Sequence, residues 1–150
     1  MEKPTHLIEF ETMLLGRHLQ LGAPRSRRGG ALDRSAYTLL SRIRIEGPMS
    51  IGQLSDAFGL DASTLNRQTA AMLRGGLVDR IPDPYGGIAR KFRITAAGER
   101  ALDAERAENI SGLDRVMADW SADEVSVFAA CLKRLNSDIE SLDGRPWPRP

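Results

Sequence analysis

Cysteine is almost absent from the sequence: Cys131 stands alone among 150 residues. A single thiol closes no internal disulfide, so the chain must rely on its apolar core, and a reducing cytoplasm is the expected compartment. Histidine is nearly as scarce, with only His6 and His18. Neither stands at a metal-ligand spacing from Cys131, and neither a metal nor any other cofactor is expected. Long apolar runs are missing as well; nothing approaches the roughly 18 uninterrupted residues of a membrane span. The start Met1-Glu2-Lys3-Pro4 has no basic region leading into an apolar run, so a secretory signal is not expected. The chain also lacks a Gly-rich phosphate loop, a Gly-x-Ser-x-Gly elbow and a His-Glu-x-x-His motif. Its glycine pairs Gly29-Gly30, Gly75-Gly76 and Gly86-Gly87 read as turns, because none follows a strand and opens a helix. An enzyme is therefore not expected.

What is present is ordinary in bulk: 41% hydrophobic and 27% charged residues, in a chain the length of one self-folding domain. Net charge is +1, but it is unevenly spread. Residues 1–47 carry eight Lys/Arg against five Asp/Glu, residues 48–100 seven against five, and residues 101–150 six against ten. That asymmetry can turn a positive face toward a polyanion, although scattered surface charge would produce the same counts.

Periodicity divides the chain into helices with one hairpin. From about Thr5 to Leu21, Leu7, Phe10, Leu14 and Leu21 recur at helical spacing, with Thr5 as the expected cap. Ile8, Leu15 and Leu19 add a second apolar stripe, which calls for more than one packing partner and suggests a second subunit. Gly22 to Gly30 then reads as a basic loop containing Arg25, Arg27 and Arg28. Asp33 caps a helix through Tyr37, Leu39, Leu40, Ile43 and Ile45, stopped by Gly47-Pro48. Ser50-Ile51-Gly52-Gln53 has the form of a capping box and opens a short helix that ends at Gly59. Asp61 caps another that runs to about Arg74. Two short helices separated by a glycine-containing turn form a helix-turn-helix.

After Gly76 the period changes to that of strands, over Leu77–Ile81 and Ala89–Ile94. The turn-rich Pro82–Ile88 between them makes a hairpin, and a hairpin after a helix-turn-helix is a wing. Thr95 caps a long helix to about Ala118. A second capping box, Ser121 to Glu124, starts a final helix whose Val125, Phe128, Leu132, Leu135, Ile139 and Leu142 form a seam for another helix. Cys131 within it reads as a small packed residue, Trp120 and Trp147 as packing residues, and Asp143–Pro150 as an irregular tail.

On a helical wheel, Ala62, Leu65, Thr69, Met72 and Leu73 of the Asp61–Arg74 helix face inward. Ser63, Arg67, Ala70 and Arg74 face outward, flanked by Thr64, Asn66 and Ala71. Arg can grip guanine through two hydrogen bonds, Asn can do the same to adenine, and Ser or Thr can reach bases or phosphates. Small alanines allow a close approach to the groove. A solvated helix face is the plainer reading of the same pattern; the flanking capping-box helix and hairpin favour the DNA reader. The candidate DNA-binding residues are thus Ser63, Thr64, Asn66, Arg67 and Arg74, with Arg90 and Lys91 on the second wing strand. Arg93 is a further wing cation, and a charge-blunted edge strand is the alternative for all three.

The stretch Leu54–Leu102 resembles the MarR family of bacterial regulators, named after multiple antibiotic resistance. The resemblance rests on Leu60-Asp61-Ala62-Ser63-Thr64-Leu65-Asn66-Arg67, Gly76-Leu77-Val78-Asp79-Arg80, Pro82-Asp83-Pro84 and Ile94-Thr95-Ala96-Ala97-Gly98. Trp120-Ser121 with Glu124 resembles the start of the family's last helix. The resemblance implies a mainly α fold with a small β-hairpin wing: a winged helix-turn-helix with N- and C-terminal dimerisation helices. It divides the chain into a dimerisation helix and loop (1–32), a DNA-binding lobe (33–98) and C-terminal dimerisation helices with a tail (99–150). It further implies a homodimeric repressor on a pseudo-palindromic site in double-stranded DNA, released by a small-molecule effector between the lobes. His18 and Tyr37 are candidates for lining that effector pocket, against core or surface roles.

One departure stands out. The family's wing carries Asp-Arg-Arg at its tip, where this chain has Gly86-Gly87-Ile88. Either Arg90 or Lys91 substitutes, or the wing contributes less. That departure keeps open a second function, a winged-helix protein-interaction module without DNA binding. Redox-sensing relatives place their cysteine near the N-terminus, where this chain has none, so peroxide sensing is not expected.

Overall fold

Five of the helices begin on a side chain that accepts a hydrogen bond from a backbone amide three residues on. Such caps satisfy amides that the helix itself leaves unpaired, which is why the short polar residues mark the starts. The computed structural model describes residues 1–22 and 32–150. In order, the elements are α1 (Thr5–Gly22), α2 (Arg34–Glu46), α3 (Ile51–Phe58), α4 (Ala62–Arg74), β1 (Val78–Ile81), β2 (Lys91–Ile94), α5 (Ala96–Val116) and α6 (Ala122–Asp143). The basic-loop residues Arg25, Arg27 and Arg28 lie outside the described residues, as does the side chain of Leu21.

Asp33 caps α2, Ser50 and Gln53 close a reciprocal box on α3, Asp61 caps α4, and Ser121 with Glu124 repeats the box on α6. Thr5 is an exception to the expectation. It is the first residue of α1, and its hydroxyl donates to the Lys3 carbonyl instead of receiving an amide. The strands are shorter than expected: β1 starts at Val78 and β2 at Lys91, so Ala89 and Arg90 belong to the loop. Helix α5 ends at Val116, two residues before the expected Ala118.

The core gathers one face from each element of the lobe. Leu39, Leu40 and Ile43 of α2, Leu54 of α3, Leu65 and Met72 of α4, Val78 and Phe92 of the hairpin, and Leu102 of α5 are all buried. Truncating a buried leucine of this kind costs about 2–5 kcal/mol. The hairpin is antiparallel, with Val78 opposite Ile94 and Ile81 opposite Lys91. Met49, before α3, exchanges backbone hydrogen bonds with Phe92 at 3.1 and 2.8 Å and ties the wing's base to the helix-turn-helix. The start of α5 lies so close to the Leu77 carbonyl that a Cβ on Gly98 would stand 2.1 Å from its oxygen. Glycine is therefore required where α5 leaves the lobe.

Helices α1 and α6 have no buried side chain among the described residues. Leu7, Ile8 and Phe10 on α1, and Phe128, Leu132, Leu135 and Ile139 on α6, are exposed. Cys131, expected to pack, is exposed with them, because its seam has no partner within a single chain. Trp120 does pack, edge-on against Phe128 with ring centroids 5.6 Å apart. No described helix is long and apolar enough to cross a membrane.

Candidate nucleic-acid interface

Helix α4 is held in place by its inner face and displays its outer one. Leu65, Thr69 and Met72 are buried, while Ser63, Asn66, Arg67 and Arg74 are exposed. Thr64 is half-buried, Leu73 packs against the core, and Ala62, expected to face inward, is exposed at the helix start. The Thr69 hydroxyl donates to the Leu65 carbonyl at 2.8 Å, which satisfies it inside the core.

At the start of α4, Asp61 accepts the Thr64 amide at 2.7 Å and the Ser63 hydroxyl at 2.8 Å. The Thr64 amide holds the carboxyl below its usual range, with the Ser63 and Thr64 side chains and the nearby Arg67 charge adding to the effect. Arg67 donates to the Thr64 hydroxyl at 3.4 Å, a weak contact that leaves most of its donors free. The face therefore presents two guanidinium groups and one carboxamide on a rigid helix. These are the donors and acceptors that discriminate base edges in a major groove.

The wing differs from expectation. Lys91 is only 11% exposed, and its ammonium lies 3.6 Å from Asp83. Asp83 also accepts the Tyr85 amide at 2.9 Å, so the lysine is used to order the wing tip. Without DNA, Lys91 is thus engaged at the wing tip, and any contact of its ammonium with DNA has to compete with Asp83. Arg93 pairs with Asp79 across the hairpin at 3.4 Å, and the Arg80 guanidinium stacks on Phe92 at 5.5 Å. Arg90, off the strand and exposed, has no acidic partner among the described residues, and neither has Arg80 of β1, which lies instead on Phe92. The tip itself presents Tyr85 and Ile88, at 94% and 104% exposure. Ile88 belongs to the departure already noted at the tip, whereas Tyr85 carried no expectation from the sequence, although an aromatic in an otherwise turn-forming segment was the signal.

His18 and Tyr37 are not brought together. His18 is exposed on α1, and Tyr37 packs against the lobe's own core from α2. An effector pocket that uses both residues would therefore need a second subunit. An open cleft of about 330 Å³ lies elsewhere, between Asp33 and Ser35 at the start of α2 and Thr64, Arg67 and Gln68 of α4. It shares Thr64 and Arg67 with the reading face.

A family model described as the MarR family matches residues 32–85, the span from α2 to the wing tip. A curated relative from Bacillus subtilis (strain 168), described as an uncharacterized HTH-type transcriptional regulator, YxaD, is 33% identical over 135 residues. That match covers 90% of this chain and 94% of the relative. The chain belongs to the MarR family. It is a transcription regulator with a helix-turn-helix for DNA, and not an enzyme. Solved structures of MarR proteins share the fold. A MarR family protein from Bacillus stearothermophilus superposes with a TM-score of 0.77 at 23% identity, covering 93% of this chain and all but 1% of its own, 99%. A structure described as that of MarR gives 0.77 at 20% identity, covering 97% of this chain and 99% of that one. A transcriptional regulator from Thermotoga maritima gives 0.63 at 21%, with 97% and 100% covered.

Proposed function

We propose that this MarR protein is a cytoplasmic homodimer that binds a pseudo-palindromic operator, each α4 reading one half-site in the major groove. The observation that carries the reading is Arg67, exposed at the middle of α4's outer face between Asn66 and Arg74, on a helix whose other face is buried. The exposed apolar faces of α1 and α6 support the dimer, because in water such faces need a partner helix. Arg90 adds a wing contact to phosphate or the minor groove, with Ser63 and Thr64 at the helix start and Arg74 at its end reaching the backbone. In the family such dimers commonly act as repressors released by a small molecule, and we extend both roles to this chain.

The test is selection of bound sequences from random duplex DNA, run beside Arg67→Ala. The parent should enrich a pseudo-palindrome. The variant should lose roughly 1–3 kcal/mol of affinity and blur one base position per half-site. No enrichment from a folded, dimeric parent would replace this reading with the protein-interaction module.

A further inference from the structure

The chain does not end with α6. Gly144 closes that helix, and the following residues turn back to grip two elements at once. On the α6 side, Glu140 accepts the Trp147 amide at 2.8 Å and both arms of the Arg149 guanidinium at 3.1 and 2.8 Å. On the lobe side, the Arg145 Nε donates to the Asp56 carbonyl of α3 at 3.3 Å. Its guanidinium lies against Gly59, in the turn of the helix-turn-helix, where a Cβ would stand 2.9 Å from Cζ. Gly59 has φ +63°, so glycine both turns the chain and makes room for the arginine.

Trp147 is the centre of the contact. Its ring meets Phe58, the last residue of α3, edge-on with centroids 5.3 Å apart, and carries the Arg42 guanidinium on its face at 4.9 Å. Arg42 is a buried residue of α2; Glu46 accepts from its Nη2, while Nε and Nη1 have no hydrogen-bond partner among the described residues. The indole face is therefore a principal compensation for a desolvated cation. Residues 145–149 thus form a strap from the end of α6 to α2, α3 and the turn that precedes α4.

The lobe is already joined to the terminal helices at one end, where α5 leaves it past Gly98 and Arg44 of α2 pairs with Asp103 of α5. From there the chain passes into α6 through a turn whose Trp120 packs on Phe128 of α6. A lobe held at one end can tilt about that end; a second attachment removes the freedom. We propose that the strap, through Trp147, Arg145 and the Glu140–Arg149 pair, positions the helix-turn-helix relative to α6 and so sets the half-site separation that the dimer accepts. The proposal rests on the dimeric DNA-reading function above. A dimer binds two half-sites well only where its two recognition helices match their spacing, and fixing that geometry beforehand lowers the cost of binding. Trp147 and its neighbours are positioning residues here, not DNA contacts.

The test has one arm without DNA and one with it. Spin labels on Arg134→Cys, on the side of α6 away from its apolar seam, and on Ala71→Cys of α4, in a Cys131→Ser background and with labelled chains diluted into unlabelled ones, report the distance from lobe to α6. The strapped chain should give one narrow distribution. Trp147→Ala, and a chain ending at Gly144, should broaden it, and Trp147→Phe should restore it. Glu140→Gln should fall between, which keeps the test intact if the alanine variant folds poorly. In the second arm, affinity is measured for operators whose half-sites are moved apart or together by one or two base pairs, and for a single half-site. Loss of the strap should reduce discrimination between correct and shifted spacing at least about fivefold and leave half-site affinity unchanged. An unchanged distance distribution overturns the proposal, whatever DNA does. Unchanged spacing discrimination, or equal losses on half-site and full operator, overturns the proposed role in binding. A parent that binds no DNA counts against the DNA-reading function, while the distance arm still decides whether the strap positions the lobe.

Discussion

At the scale of single residues, three cations of one short strand and its approach have three different environments. Lys91 is engaged by Asp83, Arg93 by Asp79, and Arg90 by neither. Charge count alone treats them alike, but an ammonium already paired gives up that pairing if it turns to phosphate. Arg90→Ala should therefore lower the slope of log affinity against log salt by about 1, the change expected for one lost phosphate contact. Lys91→Ala should leave the slope close to the parent and instead loosen the wing tip. Binding titrations between low and moderate salt measure both. A larger slope change in Lys91→Ala than in Arg90→Ala would reverse the assignment.

At the scale of elements, the starts of α4 and α6 each hold a carboxyl whose shift on folding makes them sensitive to acid. Asp61 at α4 is held below its usual range chiefly by the Thr64 amide, and Glu124 at α6 chiefly by the Ser121 amide. A carboxyl depressed in the folded state stabilises that state at pH values above its unfolded value, and the gain is lost as pH falls through the folded value. Both caps should hold fully above about pH 5 and weaken below about pH 4. Hydrogen-exchange protection, referred to the intrinsic rate at each pH, should fall on the first turns of α4 and α6 in that window before it falls at Leu39 and Leu40 of the core. An equal loss of protection in the core and at the start of α4 would mean that the lobe opens as one unit. The wing's base, by contrast, is set by backbone pairing at Met49 and Phe92 and should be indifferent to acid over the same range.

At the scale of the whole molecule, the terminal helices decide whether there is one reading head or two. Leu132 and Leu135 lie on the exposed seam of α6, beside Phe128 and Ile139. Leu135→Glu should leave the lobe folded, because α6 contributes no buried side chain to it. It should shift the protein to a monomer in light scattering and reduce operator affinity toward that of a single half-site. A dimer that survives this change would place the interface elsewhere.

Much of this arrangement was determined by the sequence alone. Asp33, Ser50, Asp61, Thr95 and Ser121 marked five helix starts, and the inward set Leu65, Thr69 and Met72 gave the orientation of α4. These features are local: a cap reaches three residues and a helical face repeats every three or four, so neighbours in sequence settle them. The tertiary structure alone decided what the charged and aromatic side chains do. Arg145 reaches a backbone carbonyl 89 residues earlier in the chain, and Trp147 meets Arg42 and Phe58 from a tail that reads as irregular. The partner of Lys91 is likewise set by how the wing tip folds back on β2. Such contacts depend on the packing of whole elements, and no periodicity within a short window encodes them.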